Sequence, residues 1–208
     1  MLPIRTESEY VDETGRSDQR CLQWLRVARR RRGHRTVSAH PFLTRLTEGT
    51  GGEVLDVLGP TVEFLNLSQG QYKQFCLMRG VVPPGVTVPL HSHDDVEAFY
   101  IVSGAQEVLV PGAHGLEWRT AHAGDFVHVA GGALHAHRNI GDEDAVDLII
   151  TTPRLGAFFR EIGVPVGDVG RYTPAQRLSR FVETALRYGM RLGTAEENAA
   201  VGIELPTP

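Results

Sequence analysis

A chain of 208 residues, 41% hydrophobic and 22% charged, is long enough for one packed domain with appendages. Its formal charge of -4 gives no global attraction to nucleic acid or an anionic membrane, and no run approaches the roughly 18 apolar residues of a spanning helix. Its two cysteines, Cys21 and Cys76, form no C-x-x-C pair and indicate no disulfide framework.

The first twenty residues contain no apolar segment of the kind a signal peptide needs, so the expected location is the cytoplasm. Residues 1–35 hold nine arginines against five acids, a net of +4, which leaves -8 for the remainder. They read as a basic N-terminal arm, disordered and solvated. Within it, "CLQWLRVARRRRG" has the pattern of a short helix, with Leu22, Trp24 and Leu25 on one side and Gly33 as its stop. The Arg29–Arg32 run offers contacts to phosphates or an acidic partner, although a solvated tail is the expected state and no nucleic acid partner is expected.

Over residues 36–153 the pattern changes to short β-like segments punctuated by glycine and proline. "EVLDVLG" and "TVEFLNL" alternate, and "QYKQFCLMRGVV" stops at Pro83-Pro84-Gly85. "VEAFYIVSG" and "AQEVLVPG" read as two strands joined at Ser103-Gly104. Further strands follow at "LEWRTAHAG", "DFVHVAGG", "LHAHRNI" and "AVDLIITT". Many short strands without strand–helix alternation predict an all-β, antiparallel barrel or two-sheet fold. Tyr72, Phe75, Phe99, Tyr100 and Trp118 are its candidate aromatic core, and Cys76, with no adjacent base, is a buried small hydrophobe.

Residues 154–208 form a helical extension. "RLGAFFREIG" predicts a short helix. "TPAQRLSRFVETALRYG" predicts a longer one, with Thr173 as cap, Pro174 in the first turn, Gln176 completing a capping box and Gly189 as the stop. Leu178, Phe181, Val182, Ala185 and Leu186 make its apolar stripe. Thr194 and Glu197 make a second capping box, after which "GIELPTP" trails off. The helices are expected to pack outside the barrel and complete its core.

The chemistry concentrates in "PLHSHDDVEAFYIVSG", residues 89–104. In extended chain His91 and His93 share a face, and Glu97, Phe99 and Ile101 have the same parity. With "DDV" turning the chain back, Glu97 can approach the histidines from the adjoining strand. Imidazoles and a carboxylate together suit Fe, Mn, Ni, Co, Cu or Zn. An H-x-H pair alone is weak evidence, since polar loops carry such pairs by chance.

The full spacing is more specific. Gly85, His91, His93, Glu97 and Gly104 follow the order and intervals of the first motif of the cupin superfamily, and "GDFVHVAGGALHAHRN" resembles the second through Gly124, Gly132, His135 and Asn139. Ala130 stands where that motif usually has proline, which removes turn rigidity and no ligand. The resemblance implies a double-stranded β-helix, or jelly-roll, barrel that binds one divalent transition metal through His91, His93, Glu97 and His135. The C-terminal segments look like the tail of small bacterial cupins related to quercetin dioxygenases. That likeness implies a dioxygenase acting on a small aromatic or enolic substrate. The alternatives are an isomerase, lyase or polyketide-cyclase-type cupin using a redox-inert metal, and a non-enzymatic small-ligand module. Homodimerisation is implied too, with residues 36–60 as the exchange element.

His137, two residues beyond His135, has the inward parity and is the candidate catalytic base or ligand support, with Glu97 as the catalytic carboxylate. Phe99, Ile101 and His128 are the candidate pocket residues. His114 and His122 fall near turns and are expected in solvent, while His34 and His40 lie outside or at the edge of the domain.

Overall fold

The computed structural model describes residues 52–65, 75–113 and 115–205. The basic arm, residues 36–51 of the expected exchange element, Tyr72 and His114 lie outside the described residues. In chain order the strands are β1 (Val54–Asp56), β2 (Thr61–Phe64), β3 (Cys76–Val82), β4 (Thr87–Ser92), β5 (Glu97–Ser103), β6 (Ala105–Gly112), β7 (Gly115–His122), β8 (Phe126–Val129), β9 (His135–Arg138) and β10 (Ala145–Thr151). Helix α1 (Pro153–Ile162), β11 (Val164–Pro165), a 3-10 turn, α2 (Pro174–Arg187), β12 (Arg191–Leu192) and α3 (Ala195–Ala200) follow.

The strands form two antiparallel sheets, ordered β11-β1-β2-β3-β10-β5-β8 and β12-β4-β9-β6-β7. From β3 to β10 the chain changes sheet at every connection except the β6–β7 hairpin, which is jelly-roll winding. Among the described residues no strand closes one sheet onto the other, so the expected barrel is an all-β two-sheet sandwich. β3 alternates strictly, turning Cys76, Met78 and Val82 inward, and the core between the sheets joins Met78, Phe99, Ile101 and Ile149 to Val108 and Ala121. The step from β5 to β6 uses one residue, Gly104, at φ +70°. A Cβ there would stand 2.5 Å from the Asp144 carbonyl oxygen, so only glycine makes this crossing.

Cys76 is buried, as expected, but Phe75 and Tyr100 are 40% and 43% exposed and leave the predicted aromatic core. Tyr100 pairs with exposed Phe126 on the outer face of the larger sheet. Trp118 also lies outside the sandwich, half-buried, donating from Nε1 to the Val201 carbonyl at 2.9 Å.

Both capping boxes form as the sequence predicts, and α1 has a cap of its own at Thr152. Thr152 accepts from the Leu155 amide, and the boxes Thr173–Gln176 and Thr194–Glu197 close in both directions. The stripe of α2 is covered less than expected: Ala185 is buried, whereas Leu178 and Leu186 are 45% and 65% exposed. The reason is its partner. α2 packs on α1 along a seam where Phe158 meets Phe181 and Tyr188, and one helix covers a narrower strip than a sheet does. The tail does not trail off at once, because Ile203 is buried with Leu90, Leu109 and Ala136 on the outer face of the smaller sheet. No helix among the described residues is long and apolar enough to cross a membrane.

Candidate metal centre

β4 and β9 pair with a shift in register: Val88 lies opposite His137, and His91 opposite His135. Three steps along β4 therefore match two along β9, a bulge that contains Pro89, which has no amide proton to give to a ladder. Directly paired residues share a face, so the bulge places His91 and His135 side by side, with ring centroids 4.1 Å apart. His93 follows where β4 ends. Its carbonyl accepts from the Gly132 amide at 2.7 Å, which ties the first motif to the second.

Each of the three imidazoles is anchored in the same way. Nδ1 of His91 donates to the Pro89 carbonyl (2.8 Å), that of His93 to Asp95 (2.9 Å) and that of His135 to Ala133 (2.9 Å). With each Nδ1 committed to a carbonyl, Nε2 is the nitrogen left to face a metal. The ligand nitrogens lie within 4.8 Å of one another. Glu97, first residue of β5, brings Oε2 to 3.5 Å from His93 Nε2 and 3.7 Å from His135 Nε2. Donors about 2.1 Å from a shared ion stand roughly 3 to 3.4 Å apart. His135 Nε2 is buried without a hydrogen-bond partner, as an atom meant for a metal would be. The three histidines can hold a metal ion, and Glu97 is the candidate fourth donor beside them.

The electrostatics agree. Burial pushes His91 down to about 3, and neighbouring His135 adds to the shift, so its ring stays neutral. Burial also depresses His93, but the adjoining Glu97 carboxylate more than offsets it and the net shift is upward. Burial would raise Glu97, yet His135 and His93 hold it down at about 2. Glu97 is thus an anion among imidazoles.

A cavity of about 260 Å³ opens beside these residues and runs between the sheets toward α1 and α2. Phe99, His137 and Asp147 line it with His91, His93 and Glu97, and Ile149, Phe158 and Phe181 continue the wall. His137 Nδ1 lies 3.1 Å from Gln106 Oε1, and Gln106 Nε2 donates to Asp147 Oδ2 at 3.0 Å. Burial lowers His137 to about 4 and raises Asp147 to about 7. Asp147 Oδ1 rests against the Gly80 backbone without a well-formed hydrogen bond.

A carboxyl raised on folding binds more protons folded than unfolded, so its contribution to stability falls as pH rises from about 4 to 7. Asp147→Asn is therefore expected to stabilise the metal-free protein at about pH 8, by on the order of a few kcal/mol, and to change little at or below about pH 4. Calorimetry at both pH values checks the sign.

Of the residues singled out in the sequence, His91, His93, Glu97, His137 and Phe99 line one cavity, and His135 joins the histidine cluster at its edge. Two candidate pocket residues do not line it. Ile101 is fully buried in the core beneath. His128 is exposed on the outer face of β8, because Val129 and not Phe126 marks the inward parity of that strand. Asp147 and Gln106 were missed, although a carboxylate at the inward parity of "AVDLIITT" is itself a signal.

Residues 78–151 match the Cupin_2 cupin domain family, a span that contains both motifs and all four candidate ligands. The match supports the cupin superfamily. No curated protein matches the chain. Among solved structures, the Cupin_2 domain of an XRE family transcriptional regulator from Enterobacter cloacae is 24% identical, over 45% of this chain and 96% of that one, with TM-score 0.37. A polyketide cyclase from Streptomyces resistomycificus is 16% identical over 54% and 79% (TM-score 0.44). An RmlC-like cupin from Shewanella frigidimarina is 18% identical over 56% and 92% (TM-score 0.43). Likenesses this distant say nothing about what this chain does.

Proposed function

We propose that the chain is a mononuclear metal-dependent enzyme for a small aromatic or enolic substrate, and that its reaction is oxidative cleavage by dioxygen, as in quercetin-dioxygenase-like cupins. The observation that carries the metal reading is the convergence of three oriented imidazoles on the Glu97 carboxylate, with His135 Nε2 unpartnered. A redox-active ion held there supplies an electrophilic seat for an enol or phenol oxygen and a path for electrons to dioxygen. The chain's own groups do the rest. Phe99 and Ile149 present apolar walls that suit a planar ring and exclude water. His137, neutral and on the cavity wall, can take the hydroxyl proton of such a substrate.

That same histidine favours a second reading, in which a redox-inert ion polarises a carbonyl and His137 moves a proton, as in an isomerase, lyase or cyclase. One experiment separates the two: metal analysis of the isolated protein, then oxygen uptake with flavonols and catechols. Iron, manganese or nickel with oxygen consumption is the expected result. Tightly held zinc with no uptake would replace the dioxygenase by the second reading.

A further inference from the structure

We propose that Gln106 and Asp147 lock His137 in its Nδ1–H tautomer, making Nε2 a hydrogen-bond acceptor dedicated to a hydroxyl group of the substrate. The three residues come from β6, β10 and β9, two sheets meeting across the interior, and join through bonds of 3.1 and 3.0 Å.

The direction of this chain follows from its far end. Gln106 turns its amide nitrogen to Asp147 and donates to Oδ2. That turns Gln106 Oε1, which can only accept, toward the imidazole. His137 Nδ1 must then carry the hydrogen, and a neutral ring has only one. Nε2 is left with a lone pair on the cavity side. Gln106 and Asp147 are 1% and 2% exposed.

The arrangement is expensive for a core otherwise built of Met78, Phe99, Ile101 and Ile149. Burying a carboxyl and an amide costs more than burying an apolar pair of similar size. The fold also makes room for it. Gly80 lies opposite Asp147 across the β3–β10 ladder, and a Cβ there would stand 2.2 Å from Oδ1. Phe99, with its ring 5.3 Å from that of His137, holds the imidazole plane. Packing alone does not require these polar residues; orienting one nitrogen does.

The ligand class follows. An acceptor on the cavity wall pairs with a hydroxyl donor, which ionised phosphate and carboxylate groups lack, so the group it takes is the hydroxyl of a phenol or enol on an apolar frame. This step rests on the proposed metal function; the tautomer does not.

The test is nitrogen-15 NMR of histidine-labelled full-length protein, metal-free and zinc-loaded, with His137 identified by the signals lost in His137→Gln. Protonated Nδ1 and unprotonated Nε2 are expected in the wild type, and Gln106→Leu should lose this one-sided pattern while retaining zinc. Catechol added to the zinc form should shift the Nε2 signal. Nε2–H in the wild type, an unchanged pattern in Gln106→Leu, or no shift with catechol would overturn the proposal. Failure to bind zinc would instead sink the metal reading, while the metal-free spectrum still decides the tautomer.

Discussion

Replacing His135 with alanine is expected to weaken metal binding by ~100-fold or more and to abolish turnover. His135 stands at the centre of the cluster, its ring 4.1 Å from that of His91 and 5.1 Å from that of His93, and its Nε2 3.7 Å from Glu97. Losing it opens the donor set on one side and leaves Glu97 with fewer partners. The metal-free fold should behave differently. His135 Nε2 is buried and unpartnered, an arrangement that costs about 1–3 kcal/mol, and its removal offsets much of the cavity left by the missing ring. The expected signature is loss of metal with little loss of metal-free stability, read by metal stoichiometry and by denaturation in chelator. Retention of a full equivalent of metal would remove His135 from the ligand set. His128→Ala is the matched control: its exposed imidazole is expected to affect neither quantity.

The clustering of His91, His93 and Glu97 was legible in the sequence because strand parity and loop length determine where they point, and His135 joined them through the likeness to the second cupin motif. His91 and Glu97 sit at the ends of strands whose inward faces are marked by apolar partners such as Phe99. Parity alone fails where both faces of a strand are apolar. On β8 the residue that shares a face with His128 is Phe126, and that face is the outer one, because Phe126 pairs with Tyr100 across the exterior. Only the register shows this. The same limit hid Gln106, whose significance depends on two strands distant in sequence, β9 and β10, arriving beside it. The helices show the converse. Their caps are local chemistry, written in four residues, and form as read, whereas the width of the covered stripe on α2 depends on α1 and is absent from the sequence of α2 itself.

Asp95→Ala is expected to cost about 2 kcal/mol of stability and to weaken metal binding by about 10- to 100-fold, although Asp95 is not a ligand. Its carboxylate is 7% exposed and accepts from Thr152 Oγ1 and Arg154 Nη1, both at 2.5 Å. Arg154 also donates to the Tyr188 carbonyl at the end of α2. The backbone carbonyl of the same aspartate takes the Nδ1 proton of His93. One residue therefore joins the first turn of α1 and the last of α2 to a metal-facing imidazole. Arg154 is half in water, so its charge contributes modestly; the larger loss comes from the Thr152 bond and from the freedom returned to the loop carrying His93. Zinc competition with a chelator and urea denaturation measure the two effects separately, and Asp95→Asn, which keeps an acceptor for Thr152, should fall between alanine and the wild type in both. If Asp95→Ala loses stability but binds zinc as the wild type does, the carbonyl alone orients His93, and the helices and the centre are energetically independent.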